Sequence, residues 1–299
     1  MFFHRLWRMV GIFPLGYGPN DQLAMIPLGE PGPEPSPAQS GSLPEPAARG
    51  LAAGTPGIHA GISLARAGDM SLSRSAELPW RGRLFATLGV DPRHVYALHQ
   101  VHSRSVLVID SQDPRALETV EADGMVTSRP DAILTVTVAD CLPIFLVDRD
   151  RGAFGIVHSG WKGTGIVREA LRLMEKEYGT APADVTAALG PCIGPCCYKV
   201  QRGRWERFRL DFGDHAVSRG AGPDDYRIDL RAANVELLAQ AGVTDVSIVK
   251  DCTSCSEALG SFRRQGPESF TRMLAFIGRL PSGGHKPGRS YPEAQGEAP

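Results

Sequence analysis

The chain has 299 residues, 42% of them hydrophobic, with 32 basic and 33 acidic side chains and a formal net charge of -1. That is enough apolar material for one large domain or two small ones, and the balanced charge argues against nucleic acid or an anionic membrane as the main partner. No uninterrupted apolar run reaches the roughly 18 residues of a membrane-spanning helix, so small molecules are the expected partners of a monomer or homodimer.

The first residues, MFFHRLWRMVGIFPLGYG, are faintly signal-like, but Pro14 and Gly16 interrupt the apolar run and no clear cleavage site follows. Residues from about 28 to 57 are dominated by Pro, Gly, Ser and Ala, a composition that buries too little surface to offset its ordering entropy. Residues 1–56 are therefore expected to be a disordered or poorly ordered extension, and 281–299 a disordered tail. The folded body is expected over 57–280.

Within that body, short runs rich in Val, Ile and Leu predict strands at 105–109, 132–138, 143–147, 153–157, 185–189 and 246–249. Ile166, Val167, Ala170, Leu171 and Met174 follow helical spacing and stop at Gly179, which predicts a helix over 164–178. Further helices are expected at 231–241 and 81–88. The mixture reads as α+β: a single domain with large mixed β-sheets flanked by helices.

Cys141, Cys192, Cys196, Cys197, Cys252 and Cys255 are the six cysteines. The chain is too long to need disulfide staples, and adjacent Cys196 and Cys197 do not resemble a spaced framework. Free thiols in a reducing compartment, hence a cytoplasmic protein, are expected.

The most informative stretch is ADCLPIFLVDRDRGAFGIVHSGWKG, residues 139–163. DRDRG suits a hairpin loop between two apolar strands. A hairpin centred on it brings Cys141 to within a residue of facing His158, with Cβ atoms about 4.5–5.5 Å apart. A thiolate and an imidazole at that distance can share a metal ion. His102, just before a strand, is the preferred third ligand, with His99 as its competitor. Two histidines and one cysteinate leave a position open on tetrahedral zinc, which is the pattern of a catalytic site. One Zn²⁺ per chain is expected; copper is less favoured, because the eight histidines are scattered singly with no H-x-H pair.

Other residues leave more than one reading open. Asp140 is a candidate catalytic base, a hydrogen-bond acceptor behind the metal, or a turn cap. Lys162, just ahead of a helix, suits phosphate, and Trp161 suits stacking on a ring or core packing. Arg263 and Arg264 in SFRRQG suit planar recognition of phosphate. GPCIGPCCYKV, residues 190–200, is a rigid Gly/Pro turn with three thiols; a second metal site is conceivable there, but tight packing is favoured, and the lone C-x-x-C of DCTSC is a weak metal signal. Phosphate-loop, dinucleotide-binding, zinc-protease, nucleophile-elbow and zinc-deaminase signatures are all absent.

QVHS, EADGMVT, ADCLPI, VHSGWKG, GPCIGPCCYKV, DCT and SFRRQG occur in the order typical of the purine nucleoside phosphorylases formerly called multicopper polyphenol oxidoreductases, or laccase-domain proteins. The chain resembles that family from about residue 57 to 280. The resemblance implies zinc on His102, Cys141 and His158, and an α+β fold with a large mixed sheet. It also implies phosphorolysis of adenosine, inosine, guanosine and methylthioadenosine, with purine nucleosides and phosphate as partners, and hydrolytic deamination of adenosine. Alternatives attached to the same family are an amide hydrolase that edits peptidoglycan precursors and a copper-dependent polyphenol oxidase. A non-enzymatic zinc or redox protein is a further reading. The chain departs from the family at RAGDMS (66–71), where Arg-x-Gly-Gly-x-Ser is usual, at Lys199 for Glu, and at Phe262 for Tyr, which removes a hydroxyl.

Overall fold

The computed structural model describes residues 10–18, 21–28, 57–74 and 78–281. Its elements in chain order are β1 (Val10–Phe13), β2 (Leu23–Ile26), β3 (Ile58–Ser63), α1 (Trp80–Thr87), β4 (Val95–Tyr96), β5 (Val106–Val108), α2 (Pro114–Leu117), β6 (Gly124–Thr127), β7 (Ile133–Val138), β8 (Leu142–Asp148), β9 (Phe154–Ser159), α3 (Ile166–Tyr178), β10 (Val185–Leu189), β11 (Lys199–Val200), α4 (Arg202–Phe212), β12 (Val217–Arg219), β13 (Tyr226–Ile228), α5 (Leu230–Ala241), β14 (Asp245–Val249), α6 (Phe262–Gln265) and β15 (Met273–Arg279). Each strand and helix predicted in the body is present, within one or two residues at its ends.

Seven strands form one sheet in the order β1-β14-β10-β8-β9-β6-β5, and five form a second in the order β2-β3-β15-β7-β4. Both mix parallel and antiparallel pairs. Alternation along β8 shows how the layers stack. Leu142, Ile144 and Leu146 pack with Val167, Leu171 and Met174 of α3 and Leu237 and Leu238 of α5. Phe145 and Val147, on the opposite face, pack with Val136, Ala275 and Ile277 of the five-stranded sheet. Helix α1 covers the far side of that sheet, setting Leu84, Phe85 and Leu88 against Ile133, Leu274 and Phe276. The result is a helix–sheet–sheet–helix arrangement, a form of the expected α+β fold.

Helix α3 is bounded by Gly165 at φ +104° and Gly179 at φ +67°, left-handed positions that glycine occupies without Cβ strain. Helix α5 starts at Asp229, whose side chain accepts from the N–H groups of Arg231 and Ala232, satisfying two donors that the helix leaves free.

The expected boundary at 57 is corrected. Strand β1 pairs in parallel with β14, and β2 pairs antiparallel with β3. Ala24 and Ile26 are buried, and the Leu15 N–H donates to the Asp251 carboxylate at 2.7 Å. Both strands have four residues and lie among Gly and Pro, so neither offers enough alternation to stand out. Residues 29–56 and 282–299, expected to be disordered, lie outside the described residues.

Candidate metal site and its cavity

The β8–β9 hairpin forms as expected, but its register sets Pro143 opposite His158 and Leu142 opposite Ser159. Cys141 therefore sits one residue before the strand, on the diagonal from His158. The pair still meets. Donor atoms of His102, Cys141 and His158 all lie within 4.8 Å of one another, and the two imidazole rings are 4.9 Å apart, edge to face. His99 is not in the group; its backbone is bridged to Glu121.

One carboxylate assembles this group. Asp123 is fully buried just ahead of β6. It accepts the backbone N–H groups of Val101 (3.3 Å), His102 (3.0 Å) and Ser103 (2.6 Å) and the Ser103 hydroxyl (2.8 Å). The same carboxylate lies 2.8 Å from Nδ1 of His158. The loop that carries His102 is thus tied to the strand that carries His158. With Nδ1 of His158 donating to Asp123, Nε2 is the ring nitrogen left free to bind a metal. His102 itself is held at φ +62°, a left-handed backbone that a non-glycine residue adopts at a cost of order 1–3 kcal/mol.

The electrostatics favour ligation. Burial alone would raise the Cys141 thiol, but His158 and His102 outweigh it and bring the pKa down to about 6. Burial would lower His158, but the Cys141 charge and the Asp123 hydrogen bond raise it. Burial would likewise raise Asp123, yet hydrogen bonds from His158 and Ser103 hold it at about 2. The group is built around a thiolate that needs a positive neighbour. Space is reserved as well: a Cβ on Gly160 would stand 2.9 Å from Cys141 Sγ and 3.1 Å from His102 Cδ2. One sulfur and two imidazole nitrogens select borderline metals over hard cations such as Mg²⁺ or Ca²⁺. The residues present fit a metal ion.

The group opens into a cavity of about 630 Å³, within the usual range for small-molecule sites. Lys162, Arg204, Arg263 and Arg272 line it, with Trp161, Tyr198, Phe262 and Phe270. Lys162 and Arg204 lie over the Trp161 ring, at 5.8 and 4.4 Å. Trp161 also packs against the α3–α5 core, in line with its core-packing reading, while its ring lines the cavity. Phe262, 46% exposed, meets Phe270 edge to face at 5.0 Å.

Of the expected substrate residues, Trp161, Lys162 and Arg263 reach the cavity. Arg264 does not line it. The Arg264 guanidinium donates instead to the carbonyls of Thr253, Ser256 and Leu259 and holds that loop. Asp140 is buried at φ +89° on the cavity wall. Its carboxylate accepts from the Thr253 hydroxyl at 2.6 Å and the Arg263 N–H at 2.7 Å. Its carbonyl accepts from Ile193. It thereby ties three loops to the end of β7. Asp123, Arg204, Arg272 and Tyr198 escaped sequence reading. Arg204 is one of four arginines in α4, and nothing in that run sets it apart.

Residues 77–280 match the family described as multi-copper polyphenol oxidoreductase laccase. The chain belongs to this family. Among curated relatives, purine nucleoside phosphorylase YlmD of Geobacillus stearothermophilus is 33% identical over 211 residues, covering 67% of this chain and 77% of its own. A purine nucleoside phosphorylase of Deinococcus radiodurans is 34% identical over 201 residues, covering 66% and 75%. The crystal structure of YlmD aligns with a TM-score of 0.69 at 31% identity, over 76% of this chain and 93% of that one. That of the Bacillus licheniformis hypothetical protein YfiH gives 0.69 at 28%, over 74% and 92%. No helix among the described residues is long and apolar enough to cross a membrane.

Proposed function

We propose that the chain is a zinc-dependent purine nucleoside phosphorylase acting on adenosine, inosine, guanosine and methylthioadenosine. The observation that carries this reading is the pairing, in one cavity, of the His102–Cys141–His158 group with cations that have no carboxylate partner. Among the described residues, none of Lys162, Arg204 and Arg263 is ion-paired. Arg263 donates to the carbonyls of Cys197 and Lys199 and presents the rest of its charge to the cavity. Such a cluster suits a phosphate dianion. Trp161, Tyr198, Phe262 and Phe270 offer ring faces and edges for a purine. The names of the relatives supply the same reaction class.

In this reading the three cations bind inorganic phosphate and aim one oxygen at the anomeric carbon of the ribose. The C1′–O bond to phosphate forms as the C1′–N9 bond breaks. The bonding pair leaves with the purine, and the proton carried by phosphate ends on the base. Asp140 fixes the backbone of Arg263 and so positions that cation. Zinc held by His102, Cys141 and His158 would supply Lewis acidity beside the reacting anions. Deamination of adenosine is a second reaction open to the same metal group. Six free thiols suit the reducing cytoplasm, where we place the protein.

A copper oxidase fits the donor set less well. Among the described residues, metal-ligand candidates gather in two groups, one with two histidines and one with four thiols, whereas multicopper centres rest mainly on imidazoles. The test incubates purified protein with adenosine or inosine, with and without phosphate, and identifies products by mass. Adenine or hypoxanthine with ribose 1-phosphate, formed only when phosphate is present and lost in Cys141→Ala, is the expected result. Inosine from adenosine adds the deaminase. No nucleoside turnover by a zinc-loaded protein that hydrolyses a muramyl-peptide precursor would replace this reading with the amide hydrolase.

A further inference from the structure

On the cavity wall made by Ile193 and Tyr198, the loop from Gly190 to Tyr198 meets a second loop running from Asp251 to Ser256. The two are laced together. Cys192 and Cys252 form a parallel bridge, the Thr253 N–H donates to the Cys192 carbonyl at 3.1 Å, and the Gly194 N–H donates to Cys252 Sγ at 3.2 Å. This lacing gathers four thiols. The sulfurs of Cys196, Cys197, Cys252 and Cys255 all lie within 4.8 Å of one another.

The spacing has a specific chemical meaning. Cys255 Sγ is 3.4 Å from that of Cys197 and 3.7 Å from that of Cys196. A disulfide needs about 2.05 Å. Four sulfurs arranged tetrahedrally at about 2.3 Å from one zinc ion are about 3.8 Å apart along each edge. The two Cys255 separations are close to that edge and far longer than a disulfide bond, and the remaining pairs lie within 4.8 Å. The local backbone agrees. Cys252 and Cys255 span a tight C-x-x-C turn in which the N–H groups of Cys255 and Ser256 both donate to the Cys252 carbonyl. Gly194 leaves room, since a Cβ there would stand 3.2 Å from Cys196 Sγ and 3.4 Å from Cys252 Cβ. Arginines surround the loops: Arg227 donates to the carbonyls of Pro195 and Cys196, Arg231 to that of Cys192, and Arg263 to that of Cys197. Arg227 is itself paired with Asp225, so the charges of Arg231 and Arg263 are the ones that offset the excess negative charge that four thiolates and a divalent ion would carry.

We propose that Cys196, Cys197, Cys252 and Cys255 form a second, structural zinc site that locks these two loops together. Four protein ligands close the coordination sphere, so this ion takes no substrate. Its effect on the cavity is mechanical. Thr253 and Ile193 hold Asp140, Asp140 holds the Arg263 backbone, and Tyr198 faces the cavity. All of these contacts hang on the two laced loops.

The test measures zinc on the full chain purified under reductant, in wild type, in Cys141→Ser and in the double variant Cys252→Ser/Cys255→Ser. Two zinc ions per wild-type chain and one per chain in each variant are expected. X-ray absorption at the zinc edge of Cys141→Ser should then show an all-sulfur shell at about 2.3 Å. This last readout needs only the Cys141 variant, so it decides the matter even if the double variant fails to fold. A Cys141→Ser protein without sulfur-bound zinc overturns the proposal, whatever the zinc count of the wild type. So does a disulfide within this group in protein purified without oxidant. The result is independent of nucleoside turnover, so loss of the phosphorylase reading leaves it standing.

Discussion

Replacing Asp123 with Asn changes little in shape and removes one negative charge at the point where the metal ligands are tied together. The amide can accept on its oxygen and must donate from its nitrogen. If the nitrogen takes the Oδ2 position it faces the N–H groups of Val101 and Ser103 and the Ser103 hydroxyl. If it takes the Oδ1 position it faces the His102 N–H and His158 Nδ1. The second choice loses less, because His158 can change tautomer and accept at Nδ1. Its proton then sits on Nε2, where the metal belongs, and ligation is lost. The stability cost is the His102 hydrogen bond plus the weakening of the others from charged to neutral, about 2–4 kcal/mol. The carboxylate's own titration leads to a similar figure. A folded pKa of about 2 against an ordinary 3.8 means a contribution of about 2 kcal/mol, present at neutral pH and lost as pH falls from about 4 toward 2. For a domain of this size, Asp123→Asn should lower Tm by about 5–15 °C in chelator-treated protein. Metal affinity should fall by at least about 10–100-fold, measured by competition with a chromophoric chelator. Ser103→Ala, which removes only the hydroxyl bond, should keep the metal. An Asn variant that binds metal within about threefold of wild type, with Tm moved by less than about 2 °C, would refute the tautomer argument.

Three further outcomes are expected. Gly160→Ala places a methyl 2.9 Å from Cys141 Sγ and 3.1 Å from His102 Cδ2, so metal content should drop while the far-ultraviolet spectrum stays unchanged; full occupancy would show that the ligands have slack. Lys162→Ala and Arg204→Ala each remove a cation expected to contact phosphate, so the KM for phosphate should rise about 10–100-fold, from about 1.5–3 kcal/mol per charged contact, with zinc content unaltered. Unchanged phosphate KM in both would move the phosphate elsewhere. Arg264→Ala removes a guanidinium that holds three carbonyls of the Thr253–Leu259 loop, so Tm should fall by about 5–10 °C on the loss of about 2–4 kcal/mol. A raised phosphate KM at unchanged Tm would instead restore Arg264 to substrate binding.

The sequence was most legible where a periodic pattern and a buried face coincide. Strands β7 to β10 are nearly continuous apolar runs because each is covered on both sides, and α3 shows its stripe because one side faces solvent. The hairpin loop brought Cys141 and His158 together, though its register slipped by a residue or two, since five polar residues do not specify which of them pair. The neighbours Arg263 and Arg264 were indistinguishable as letters. Only the turn at α6, begun at Ser261, sends one toward the cavity and the other into the carbonyls behind it. The thiol cluster was hidden for a related reason. Cys196 and Cys197 are adjacent, and their partners lie more than 50 residues away, joined by a bridge that belongs to no regular strand.

What these hidden contacts share is their location and their means. Asp123 and Asp140 sit beside strand ends, and both gather backbone N–H groups and hydroxyls from loops distant in sequence. A buried carboxylate must find several donors to remain charged, and loop backbones supply donors that no ladder has used. Each carboxylate therefore does locally what a sheet does with hydrogen-bond ladders. One of them joins the His102 loop to the metal hairpin, and the other joins the thiol-bearing loop and α6 to the same hairpin. Hydrophobic periodicity carries no trace of such knots. This is why the layers of the fold could be read from the chain, whereas the residues that orient the ligands and cations emerged only from their hydrogen bonds.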